Sequence, residues 1–287
     1  MSRWDLTVRL AITSRTTIVV AAVVAAAASA AAAIAAQSRL DLPPSYAGLS
    51  NATPDQLNPG AFHFCRLRFN RSPLGDGDGW YVDSPRADVN VSLRLAQLTK
   101  TRMDEEGEGD PLHIVVRLTD AALFQCPFVM MTEPGAADFD EEEAARLRAY
   151  LLKGGFVWAD DFWGSRAWAW FSAQLGRVLP PSEYPIVDLP LDHPLFHIQY
   201  DVQQFPQIPN VGLWQWAHVT SERGEDSAQP HARAILDRQG RVMVFMTFNT
   251  DFGDAFEREA DSPDYFKRFS VPAYQIAVNV LLYAMTH

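Results

Sequence analysis

Positive charge is in short supply along these 287 residues: 24 lysines and arginines face 35 aspartates and glutamates, a formal net charge of −11. No basic stripe is left to neutralise phosphates, which argues against a nucleic-acid partner. Cysteine is scarcer still, with only Cys65 and Cys126, each inside an apolar, strand-like run. There is no CxxC, no Cys–His zinc spacing and no cysteine at a nucleophile elbow. The two can pair as a disulfide in an exported protein or stand as separate buried thiols, and the sequence leaves both open. A Gly-x-Ser-x-Gly elbow, an HExxH helix and a DxDxDG calcium loop are also missing, so those chemistries have no linear signature here. No internal repeat is found.

What is present begins with a targeting segment. Arg3, Arg9 and Arg15 precede an apolar stretch from Thr16 to Ala36, and Ala33-Ile34-Ala35 offers a small-x-small cleavage pattern. The stretch also approaches the roughly 20 residues that span a bilayer. Residues 1–36 therefore read as a cleaved signal peptide or an uncleaved N-terminal membrane anchor, and no cysteine follows closely enough for a lipid anchor. In both cases the rest is exported, periplasmic or anchored facing the periplasm. Membrane contact is then limited to the N-terminal segment, if it is retained. Residues 37–60, with Pro43, Pro44, Pro54 and Pro59, read as a linker. Residues 61–287 form one α/β domain.

Within that domain FHFCRLRFN, LHIVVRL and CPFVMM read as successive strands. The stretch from Ala137 to Gly164, ADFDEEEAARLRAYLLKGGFVWADDFWG, carries the clearest signal. Asp140 and Glu143 fit a capping box, and Gly154-Gly155 ends the helix. Phe156 to Ala159 then forms a run suited to a strand covered on both faces. Ser165 is placed to cap the next helix, and Asp88 or Asn90 an earlier one. Prolines make the region after Leu179 irregular. ARAILDRQGRVMVFMTFN reads as a hairpin turning at Arg238-Gln239-Gly240, an acidic loop follows, and Ser270 caps a terminal helix. Alternating strands and helices predict a mostly parallel sheet between helix layers.

Ligands in open α/β sheets sit beyond the carboxyl ends of the strands, which draws attention to Asp160 and Asp161. Neighbouring carboxylates there can bind a divalent cation or share a proton as acid and base; they can equally cap a helix or face solvent. Asn249, Asp251, Asp254 and Glu257 follow the last strand and offer hard oxygen donors for a cation or a sugar, or ordinary capping groups. Gly253 among them is expected to permit a turn. Asp160, Asp161 and Asp251 are the catalytic candidates. Trp163, His193, Asn249, Asp254 and Glu257 are the ligand-binding candidates. His193 and His197 have zinc-helix spacing, but Pro194 breaks that helix. No motif fixes a cofactor; a divalent cation is what these oxygens can hold. The expected partner is a small polar ligand or an envelope protein.

FCRLRF, WYVDSPRAD, CPFVMM, LRAYLLKGGFVWADD, LDHPLF and FNTDFGDAFE through YQIAVNVLLYAMTH occur in an order that resembles the domain of unknown function 4159 family, from about Ala61 to His287. That family looks like a branch of the class I glutamine amidotransferase-like fold, near the ThuA-like proteins. The resemblance implies a flavodoxin-like α/β domain. It also implies that ADDFWG occupies the elbow where an amidotransferase carries its nucleophilic cysteine, so no thiol is available. The expectation is an amidotransferase-like binding domain, with a carboxylate-based, metal-assisted hydrolase of a carbohydrate-like substrate as the alternative.

Overall fold

A computed structural model describes residues 57–58, 60–106 and 109–287; the stretch read from sequence as a targeting segment and most of that read as a linker lie outside them. Seven strands build one sheet: β1 (Phe64–Arg68), β2 (His113–Arg117), β3 (Val129–Thr132), β4 (Val157–Phe162), β5 (Ile186–Asp188), β6 (His231–Leu236) and β7 (Val242–Phe248). Their order is β2-β1-β3-β4-β7-β6-β5. The first five in that order run parallel, and the β6–β7 hairpin adds antiparallel pairing at one edge. The fold is a flavodoxin-like α/β sheet flanked by helices, as the alternating pattern predicts.

The α-helices of six residues or more among the described residues are α1 (Arg86–Leu98), α2 (Glu141–Leu152), α3 (Gly164–Val178), α4 (Val211–Ala217), α5 (Phe252–Glu257) and α6 (Val271–Thr286). Helix α1 packs on α5 and α6, and α2 packs on α3. Strand periodicity assigns the core. Phe64, Met130 and Trp158 point to the side covered by α1, α5 and α6, where Val91, Phe256 and Ile276 join them. Trp158 is 1% exposed, and its indole Nε1 donates to Thr247 Oγ1 at 3.0 Å, so burying its one polar atom carries little penalty. The segment Pro263–Thr286 is long and apolar enough to cross a membrane by composition, but most of it is buried against this core, which accounts for its apolarity.

Asp140 accepts from the Glu143 amide at 2.8 Å and Glu143 returns the bond, the capping box read from sequence. Gly154 ends α2 at φ +104, a left-handed backbone that glycine adopts without strain. Gly155 matters for a different reason: a Cβ there would meet the Tyr150 ring at 2.5 Å.

Three expected caps are corrected. Helix α1 starts at Arg86, and Asp88 is turned inward to pair with Arg66, both 1% exposed. Ser165 lies inside α3, whose first amides are capped from afar: Asn249 Oδ1 accepts from Gly164 N and Asp226 Oδ2 from Ser165 N. Ser270 caps nothing, because the chain is already helical through a π turn at Phe266–Ser270. Each expectation rested on local spacing, and in each a tertiary partner or a continuing helix claims the position.

Cys65 and Cys126 are joined by a disulfide, their Cα atoms 6.0 Å apart and 61 residues apart in sequence. By the chain-entropy account a loop of that length contributes about 4 kcal/mol.

Candidate functional site

Three neighbouring parallel strands finish in the same unusual way. β3, β4 and β7 are followed or closed by a non-glycine residue in the left-handed region: Glu133 at φ 48°, Asp161 at 57° and Asn249 at 60°. Asp83, from the loop after β1, is a fourth at 63°. Such backbone costs about 1 kcal/mol or more per residue and gathers where surrounding structure enforces it for a purpose. For Asp161 the cause is a bulge: Asp160 pairs with Thr247 and Phe162 with Phe248, leaving Asp161 as the extra residue. The bulge re-aims its side chain out of the strand's alternation.

Asp83 is set in place by a buried cation. Arg66 of β1 donates to the carbonyls of Trp80 and Val82 at 3.0 Å, to Thr132 Oγ1 at 2.6 Å and to the Asp88 carboxylate. It thereby fixes the backbone immediately before Asp83. Arg66 also favours the ionised form of Asp83.

The result is a cleft of about 310 Å³ at the carboxyl edge of the sheet, with Asp83, Glu133, Asp161, Glu222, Asp251 and Asp254 in its wall. One oxygen each from Asp83, Asp161 and Asp251 lie within 4.8 Å of one another. Asp83 is 8% exposed, and its Oδ2 is buried without a hydrogen bond. Asp161 Oδ1 accepts from Trp163 Nε1 at 2.8 Å and Asp251 Oδ1 from Asp254 N at 2.7 Å, so each commits one oxygen and keeps another.

Burial, reinforced by the neighbouring carboxylates, pushes Asp83, Asp161 and Asp251 well above the ordinary carboxylate range. Burial alone carries Asp160 to about 7, against its hydrogen bonds, and Glu133 also reaches about 7. Two full charges 4.8 Å apart repel by about 3.5 kcal/mol at an effective dielectric of 20, so a fully ionised triad costs about 10 kcal/mol. That rivals the stability of an entire domain. The triad must hold protons or a cation.

A second acidic group, Asp83, Asp254 and Glu257, is also within 4.8 Å. It already has its counter-charge: Arg258 stands 2.8 Å from Glu257 and 3.8 Å from Asp254. At the cleft rim Arg223 pairs with Asp76 at 3.6 Å. The Asp83–Asp161–Asp251 set is thus the better cation site.

The residues singled out by sequence divide into three groups. Asp161, Trp163, Asp251 and Asp254 line the cleft together. Asp160, Asn249 and Glu257 support it. Asp160 is fully buried and accepts from Thr247 Oγ1 and from Gly253 N at 2.9 Å, tying α5 to β4. Asn249 joins α3 to the Gln229 carbonyl, and Glu257 meets Arg258. His193 falls elsewhere: its Nδ1 accepts from Leu195 N and its ring lies beside Tyr283 of α6. The expected acidic loop after β7 is helix α5, with Asp251 as its cap. Gly253 is not at a left-handed turn; a Cβ there would stand 2.0 Å from Asp83 Oδ2.

Sequence reasoning missed Asp83, Glu133 and Glu222. Asp83 lies in the WYVDSPRAD segment on which the family resemblance partly rests, which was the available signal. Glu133 follows a predicted strand as Asp161 does, and the same carboxyl-edge rule would have found it. Glu222, whose Oε1 accepts from Asn210 N, sits in an irregular excursion with no periodicity to place it.

No curated protein matches the chain. One family model does, described as Domain of unknown function (DUF4159), over residues 63–285. That match takes in every strand of the sheet and the whole carboxylate cleft, and the chain belongs to the DUF4159 family.

Proposed function

We propose that this is an exported, amidotransferase-like domain in which a carboxylate cleft stands in for a thiol nucleophile, binding a hard divalent cation and through it a small polar ligand. The observation that carries the reading is the convergence of Asp83, Asp161 and Asp251 around a buried, unpartnered Asp83 oxygen. Calcium, magnesium and manganese prefer such all-oxygen sets. A cation there would relieve the repulsion among the three carboxylates and leave coordination positions open to the cleft.

The amidotransferase likeness is supported by the strand-to-helix elbow between β4 and α3, where Asp161 holds the left-handed conformation. Both cysteines are bonded to each other, away from that elbow, so the reading excludes thiol-based glutamine hydrolysis. Export is supported by the same disulfide, since such bonds persist in oxidising compartments. A hydrolytic version is favoured by Glu133. Its pKa of about 7 in the same cleft suits a general base acting on cation-bound water.

Calorimetric titration with calcium, magnesium and manganese tests the reading. The expected result is one ion per chain, with binding abolished in Asp83→Asn, Asp161→Asn and Asp251→Asn. Failure of all three ions to bind the wild type overturns it.

A further inference from the structure

At the opposite, amino-terminal edge of the sheet lies a larger cavity of about 870 Å³, lined by His63, Cys126, Arg102 and Lys153 among others. It has no part in the carboxylate cleft. His63 immediately precedes β1 and stands two residues before Cys65, in the extended spacing that puts both on one side. Cys126 ends the 3₁₀ turn Ala121–Gln125 just before β3. The result is that one His63 nitrogen and both sulfurs lie within 4.8 Å of one another.

His63 is 3% exposed, and neither ring nitrogen has a hydrogen-bond partner. An unpaired buried polar group costs about 1–3 kcal/mol. Simple core filling explains an apolar residue here but not this one.

We propose that His63, Cys65 and Cys126 form a redox-gated zinc site: closed while the disulfide stands, and a Cys2His centre once it is reduced. The fourth position is a water from the cavity. Tetrahedral zinc with bonds of about 2.3 Å to sulfur and 2.0 Å to nitrogen holds its ligand atoms about 3.6–3.8 Å apart. Reduction lets the two sulfurs part from bonding distance toward that spacing, and the His63 nitrogen already lies within 4.8 Å of both. The Tyr150 hydroxyl donates to the Cys126 carbonyl at 3.1 Å and steadies that backbone.

The chemistry balances with a reductant of the dithiol protein class. Its thiolate attacks the Cys126 sulfur, the one lining the cavity, and expels the Cys65 thiolate. Its second thiol then releases Cys126, and the reductant leaves as a disulfide. Two electrons enter this chain, and the two protons accompanying them leave again as zinc binds both thiolates.

Cobalt(II) is the probe, because thiolate ligation gives a charge-transfer band that oxygen ligands cannot. After phosphine reduction the wild type is expected to show this band at one cobalt per chain, lost on adding zinc. The oxidised protein shows none. His63→Ala keeps two titratable thiols but binds cobalt at least tenfold more weakly. A reduced protein with two free thiols and no band overturns the proposal. So does undiminished affinity in His63→Ala, or reductive unfolding that zinc does not reverse. The Asp161→Asn variant, silent at the carboxylate cleft, retains the band and separates the two metal sites.

Discussion

Replacing Gly253 by alanine sets two physical rules against each other. Gly253 is in the first turn of α5 with an ordinary right-handed backbone. Helix propensity alone therefore predicts a gain of up to about 1 kcal/mol for alanine. The packing predicts the reverse. The added Cβ would stand 2.0 Å from Asp83 Oδ2 and 2.7 Å from its Cγ. Ordinary carbon contacts lie near 3.5–4.0 Å, so the carboxylate must retreat by more than about 1 Å. Asp83 has little room to do so, because its backbone is held through Arg66 and its side chain faces the other carboxylates. Overpacking of this kind costs about 1–3 kcal/mol, for a net loss of about 0–2 kcal/mol. On the proposed reading the cation site loses a ligand in the same move. Guanidinium unfolding and manganese calorimetry on one preparation read both effects. The expected outcome is unchanged or lower stability together with at least tenfold weaker manganese binding. A more stable variant with wild-type affinity would refute the placement of Asp83.

The pH dependence has a definite sign. Asp160 ionises near 3.8 when unfolded and about 7 when folded, so between those values the folded chain holds more protons. Stability of the metal-free protein therefore falls as pH rises from about 4 to 7, by about 4 kcal/mol from Asp160 alone, and Glu133 acts in the same direction. Urea midpoints in a chelator check this; rising stability over that range contradicts it. Saturating cation flattens the profile. Asp161→Asn raises metal-free stability at pH 8 more than at pH 5, since it removes one member of a repelling set; a loss of cooperative melting would instead make Asp161 structural. Trp158→Ala lowers stability by about 3–5 kcal/mol in thermal unfolding, the cost of emptying its site between β4 and α5; a loss below about 1 kcal/mol would contradict the core assignment.

Much of the fold is legible in sequence because its signals are local and agree with one another. The α2 capping box, the glycine stop and the apolar run of β4 sit within 28 residues, and each needs no distant partner. The carboxyl-edge rule then finds Asp161 before any coordinate is known. What sequence cannot carry is the difference between Asp160 and Asp161. They are adjacent and chemically identical, yet a one-residue bulge sends Asp161 into the cleft and leaves Asp160 to hold α5. The bulge arises from the pairing of β4 with β7, some 90 residues away. Asp83 is hidden in the same way, since its position depends on a buried arginine in another strand. The Cys65–Cys126 bond is a third case: neither spacing nor composition decides it, and the adjacency of β1 and β3 does.

The central claim is that one hard cation sits among Asp83, Asp161 and Asp251. Anomalous diffraction from a manganese-soaked crystal tests it most directly. The account predicts a single strong peak within about 2.5 Å of an oxygen from each of the three carboxylates. A peak at Asp254 and Glu257 beside Arg258, or no peak in the cleft at saturating manganese, would contradict it.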